Sequence, residues 1–143
     1  MWRLLALNVL LCLTGCAPSG PPSTQINSTE FDSLDAKVKF LNRYVKFRRT
    51  YETLDFDITF HNGGGFSPSP SEWDLRLVAT VPATELDGWI PEGANKVEPQ
   101  TNWLTSVPTN FDLPVLDEWY AKGGHTVGMS RTRRIVAVRW FAN

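Results

Sequence analysis

The amino-acid sequence predicts an α+β domain, a single small domain with an antiparallel sheet of about four strands and two to three short helices. Two observations carry this expectation. Apolar and polar residues alternate through 54–61 and again, with Val78 joining the polar set, through 73–81, which is the period of a half-buried strand. Elsewhere apolar residues recur three and four apart, which is the period of an amphipathic helix.

Taken in order, Thr29-Glu30-Phe31-Asp32 reads as a capping box. Phe31, Leu34, Val38 and Leu41 then place a first helix over 30–42. In the first strand Leu54, Phe56, Ile58 and Phe60 share one face, with Asp55, Asp57, Thr59 and His61 on the other. In the second, Trp73, Leu75, Leu77, Ala79 and Val81 alternate with Asp74, Arg76 and Thr80. An antiparallel pairing of the two brings Asp57 opposite Arg76 or a close neighbour. Pro82 opens a second short helix carrying Leu86, Trp89 and Ile90, and Pro91 and Gly93 end it. The stretch 92–109 has no sustained period and reads as irregular chain. A third helix is expected over 113–122, capped by Asp112 and closed by Gly123-Gly124. Strands over 126–129 and 135–141 finish the chain as a hairpin, with Val136, Val138 and Trp140 on its buried face.

Ahead of this domain, Arg3 and the apolar run 4–13 have the form of a signal peptide, too short for the roughly 20 residues of a membrane-spanning helix. Leu13-Thr14-Gly15-Cys16 ends the run and resembles a bacterial lipobox. The resemblance implies cleavage before Cys16, a diacylglycerol thioether on its sulfur and an acylated amino group, an anchorage of more than one chain. It also implies a cell-envelope location, with Ala17 rather than Asp after the cysteine favouring the outer membrane, facing the periplasm. The expected organisation is a signal peptide over 1–15, the lipidated cysteine and a flexible Pro/Ser tether over 16–29, and the folded domain over 30–143. The body from Phe56 to Val81, chiefly His61-Asn62-Gly63-Gly64 and Pro70-Ser71-Glu72-Trp73-Asp74-Leu75-Arg76, resembles small bacterial proteins of unassigned role and implies no activity.

The chain has two cysteines. Cys12 leaves with the leader and Cys16 carries lipid, so the mature domain folds without disulfides, thiol catalysis or zinc–thiolate ligation. Net charge is −1, yet eleven acids face only Arg76 and Lys96 between Leu54 and Tyr120, while Lys122, Arg131, Arg133, Arg134 and Arg139 follow without an acid. Basic tail strands paired with an acidic middle account for this within one fold. Alternatively Glu85, Asp87, Glu92 and Glu98 form an uncompensated face for a basic protein partner. Nucleic acid is not expected as a partner at this charge balance, and neither a cofactor nor a metal is.

Few residues suggest chemistry. His61 is a candidate base, oriented by Asp57 with Ser67, Ser69 or Ser71 as nucleophile, although a Gly-x-Ser-x-Gly elbow is lacking. Asp55 and Asp57 lie about 7 Å apart on one strand face, a separation that two-carboxylate glycosidases use. His125 reads as a hairpin surface residue. Phe66, in the long Gly/Ser/Pro connection 61–72, and Trp103, in polar irregular chain, are the candidate contact aromatics. The sequence therefore leads to a lipid-anchored envelope protein that acts by binding, through a surface drawn from His61, Phe66, Trp103, Glu85, Asp87 and Glu92. An inhibitor or immunity-type lipoprotein and a small hydrolase using His61 are the alternatives. For the anchor, Cys16→Ala should abolish metabolic labelling by fatty acid and leave the leader attached; a labelled Cys16→Ala chain, or a mature N-terminus at Pro18, would refute the assignment.

Overall fold

In a computed structural model of the chain, residues 23–45, 49–61, 72–109 and 116–142 are described. They form mainly β-structure. One antiparallel sheet holds β1 (Ser23–Asn27), β2 (Thr53–His61), β3 (Glu72–Thr80), β4 (Asn95–Lys96), β5 (Glu118–Lys122), β6 (His125–Ser130) and β7 (Ile135–Ala142) in the order β1-β2-β3-β7-β6-β5-β4. The expected α+β domain with about four strands is thereby corrected to a mostly β fold with seven strands. The helical content is α1 (Leu34–Leu41) and three short 3-10 turns at Ser28–Glu30, Ala83–Trp89 and Leu104–Ser106.

Each difference has a local cause. Ser23–Asn27, read as the end of the tether, pairs with β2 from Ser23↔His61 to Asn27↔Asp57 and forms an edge strand. Asn27 makes the capping box with Glu30 on the first 3-10 turn, and Ser33 caps α1, so the α-helix begins four residues later than the periodicity indicated. The expected third helix overlaps β5. Trp119 points into one side of the sheet while Glu118 and Tyr120 occupy the other, and a strand covered on both faces mimics helical spacing over so short a span. Asn95–Lys96, expected as irregular chain, adds the two-residue edge β4.

Both faces of the sheet are covered. On the first, Leu54, Phe56, Ile58, Leu75, Leu77, Val136, Val138, Val127 and Met129 pack beneath α1 and the turn carrying Leu86 and Trp89. On the second, Val78, Ala137, Ile135 and Trp119 meet Trp103, Leu104, Val107 and Leu116. Trp119 lies flat over Gly128, where a Cβ would approach its ring to 2.8 Å. The indole N–H donates to the Leu116 carbonyl at 3.0 Å.

The rest of the second face is ionic. The register puts Asp57 opposite Arg76, as the alternation predicts, and puts Arg76 opposite Arg139. Two like charges directly across a ladder repel, and the buried Asp74 carboxylate resolves the conflict by accepting from both, at 2.5 Å from Arg76 Nη2 and 3.0 Å from Arg139 Nη2. Burial alone raises the Asp74 carboxyl, but the hydrogen bonds and charges of Arg139 and Arg76 outweigh it and hold the group below its ordinary value. Replacing Asp74 with Asn should cost on the order of 3 kcal/mol, because two facing guanidinium groups lose their common counter-charge. Denaturant unfolding checks this; a loss below roughly 0.5 kcal/mol, the level of an ordinary surface change, would show that the cluster is not structural.

Candidate functional site: a pocket between Trp89 and His125

A cavity of about 230 Å³ opens on the first face, lined by Arg49, Gly88, Trp89, Pro91, His125, Val127 and Val138. Its floor follows from strand alternation, since His125 and Val127 on β6 and Val138 on β7 project to the same side. The wall is Trp89, at the end of its 3-10 turn, held edge-on against Tyr51 with ring centroids 5.9 Å apart. Arg49 lies over the Trp89 ring at 5.4 Å from its centroid and donates to the Gly88 carbonyl. A Cβ on residue 88 would come within 2.9 Å of Arg49 Nη1, so a larger residue there would displace the end of this guanidinium.

Two polar groups converge on this apolar slot. Arg49 brings a fixed positive charge. His125 packs edge-on against Trp140 at 4.1 Å, and its buried Nε2 has no hydrogen-bond partner among the described residues. Burial pushes the His125 imidazole below its ordinary pKa, so the ring is neutral at pH 7. Nearby, burial pushes the Tyr51 hydroxyl up to about 12, with Arg49 opposing and Glu85 adding to the shift. The lining is apolar apart from Arg49 and His125, a composition that suits a ligand with an apolar body and one polar end. Among the described residues, no three His, Cys, Asp or Glu side chains group as metal ligands would.

The residues singled out from sequence are dispersed. His61 ends β2 opposite Ser23 and Glu72. It lies four residues along the strand from Asp57, about 13 Å away. Asp57 is fully buried, accepting from Gln25 Nε2 at 2.7 Å with Arg76 Nη1 at 3.6 Å, and Asp55 pairs with Lys37 at 2.8 Å. The Asp57–His61 dyad is thus not formed; Asp57 is closed to a substrate, and Asp55, partly exposed, is engaged by its pairing with Lys37. Trp103, expected at the surface, is 5% exposed and packs edge-on against Trp119. Phe66, Ser67, Ser69, Ser71 and Cys16 lie outside the described residues.

The acidic face is largely compensated. Glu85 accepts from the Thr50 backbone N–H at 3.1 Å, and its hydrogen bonds to Thr50 hold its carboxyl below the ordinary value. Asp87, expected to be free of the tail, pairs with Arg131 at 2.8 Å, and Arg131 also reaches Glu118 at 2.7 Å. Glu92 is exposed, with its carbonyl bonded to Lys122 Nζ.

The sequence reading placed His125 at the hairpin surface, whereas it is half-buried in the pocket, and gave Arg49 no role there. His125 did carry a signal, since it shares the strand parity of Val127 and Met129 and so faces the core. Arg49 carried none, because its place over Trp89 depends on how the chain returns to the sheet. Comparison with protein-family models, with curated proteins and with solved structures gives no match.

The neutral, buried His125 sets a pH dependence. Above about pH 6.5 the imidazole is neutral in folded and unfolded chains alike; on acidification the unfolded ring takes up its proton first. Stability is therefore fully present above that value and falls as pH drops towards the lowered folded pKa. Denaturation midpoints between about pH 7.5 and 5.5 should decline in the wild type and decline less in His125→Phe; parallel profiles would contradict the burial of this ring.

Proposed function

We propose that this is a lipid-anchored protein of the bacterial envelope that acts by binding, and that the Trp89–His125 pocket takes a small apolar group ending in an anion or hydrogen-bonding atom. The observation that carries the binding reading is the composition of the pocket. Apolar walls from Trp89, Pro91, Val127 and Val138 surround one guanidinium and one neutral imidazole nitrogen. Trp89 offers a flat face to an apolar body, Arg49 attracts a carboxylate, and His125 Nε2 fixes the polar end. A side chain or terminus of another protein satisfies these requirements as well as a free small molecule does. The anchor rests on the Leu13-Thr14-Gly15-Cys16 motif at the end of the charged and apolar leader.

Phenylacetate and its neutral amide are suitable probes, one charged and one not. In heteronuclear NMR of the mature chain, phenylacetate should shift the His125 ring and Trp89 indole resonances at lower concentration than the amide does. Arg49→Gln should remove that preference, weakening the carboxylate roughly tenfold, or about 1.4 kcal/mol. Equal response to both probes, or shifts confined to residues outside the pocket, would reject the reading.

A further inference from the structure

One end of the sheet gathers the aromatic residues. Across it, Phe60 on β2 stands opposite Trp73 on β3, Trp73 meets Trp140 of β7 edge-on at 4.9 Å, and Trp140 meets His125 of β6 at 4.1 Å. Tyr44, just beyond α1, extends the row by packing on Phe60 at 5.0 Å. The row is only half covered, since Trp73, Trp140 and His125 are each partly exposed. Among the described residues the exposed large hydrophobic side chains are Tyr44 and Phe141, at 41% and 37%; Tyr44 belongs to the row, and Phe141, next to Trp140 on β7, stands at the same end on the opposite face. Exposed Lys39 and Arg43 close α1 beside Tyr44, with Glu72 as the exposed acid at the start of β3.

The same end is where the folded chain begins. Ser23 pairs with His61 and Thr24 with Phe60, so β1 starts alongside the aromatic row. Six residues separate Cys16 from Ser23, a reach of about 25 Å at most when fully extended. Resting on the proposed lipid anchor at Cys16, we infer that this aromatic end is a second membrane contact, seated in the headgroup layer of the bilayer that holds the acyl chains. Tyrosine and tryptophan suit that layer because their rings prefer the acyl boundary while their polar atoms remain hydrated. Lys39 and Arg43 add attraction to anionic headgroups. A short tether confines the domain near the surface, so a contact of this kind is occupied at an affinity too low to hold an untethered domain there.

The acylated protein reconstituted in phosphatidylethanolamine–phosphatidylglycerol vesicles tests this, with lipids brominated close to the headgroup as quenchers. Trp89, Trp103 and Trp119 are buried, so quenching should come from Trp73 and Trp140 and disappear when both are changed to Phe. Tyr44→Ser with Phe141→Ser should keep the acyl group, vesicle flotation and melting temperature but lose most of the quenching. If the pair lowers the melting temperature, Tyr44→Ser alone supplies the same comparison. Acylated wild-type protein that floats with vesicles yet shows unquenched tryptophan emission would overturn the docking and leave the anchor standing. Quenching unchanged by the Tyr44 and Phe141 substitutions would overturn it too. Absence of acyl label on Cys16 would overturn the anchor, and the docking with it.

Discussion

The pairing of β3 with β7 joins the two halves of the molecule. β1 and β2 reach the sheet through β3, and β4, β5 and β6 reach it through β7. This junction sets Arg76 against Arg139, an arrangement that repels unless a shared anion lies between them. Asp74 is that anion, and Asp57 supports Arg76 from the β2 side. Well-packed apolar residues often stabilise as much as such an ionic cluster. What the cluster adds is register, because a one-residue slip would send Arg139 into the face occupied by Leu75 and Leu77 and bury its charge without a partner.

The uneven distribution of charge along the chain finds its counterpart within the fold. Arg131 bridges Asp87 and Glu118, Arg134 meets Glu52 at 2.7 Å, and Arg139 meets Asp74. Three of the five basic residues of the tail, Arg131, Arg134 and Arg139, thus meet acids from earlier in the sequence. The exposed members of these pairs contribute little stability individually. Their effect on recognition is larger, since they reduce the acidic field that would steer a basic partner.

The cavity and the aromatic end are neighbours on the first face, and His125 belongs to both. Its ring closes the aromatic row against Trp140 while Val127, two residues on, continues into the pocket. A group bound between Trp89 and His125 would therefore lie close to the end of the sheet where the chain begins. On the proposed anchorage, that position places ligand capture near the bilayer surface, which suits partners that are themselves confined there.

The two alternations by themselves determined β2, β3 and the face each side chain takes, because a period of two assigns faces without reference to distant residues; the antiparallel pairing and the opposition of Asp57 to Arg76, rather than to a neighbour, were decided by the sheet register. The terminal hairpin was legible for the same reason, and the proposed anchor rests on a local motif at Cys16 rather than on the fold. Only the tertiary structure decided the rest. Residues 23–27 became a strand because the edge of β2 was open to pair with them. Glu118–Lys122 became a strand because Trp119 fills the space over Gly128, and a two-residue edge at β4 is too short to leave a pattern. Trp103 lies in polar sequence, yet it is buried because a second apolar cluster, assembled from Val78, Trp119, Ile135 and Ala137, needed a cover. Arg49, Trp89 and His125 meet for a like reason, since the pocket is made of residues far apart in sequence whose approach is set by the packing of the whole sheet.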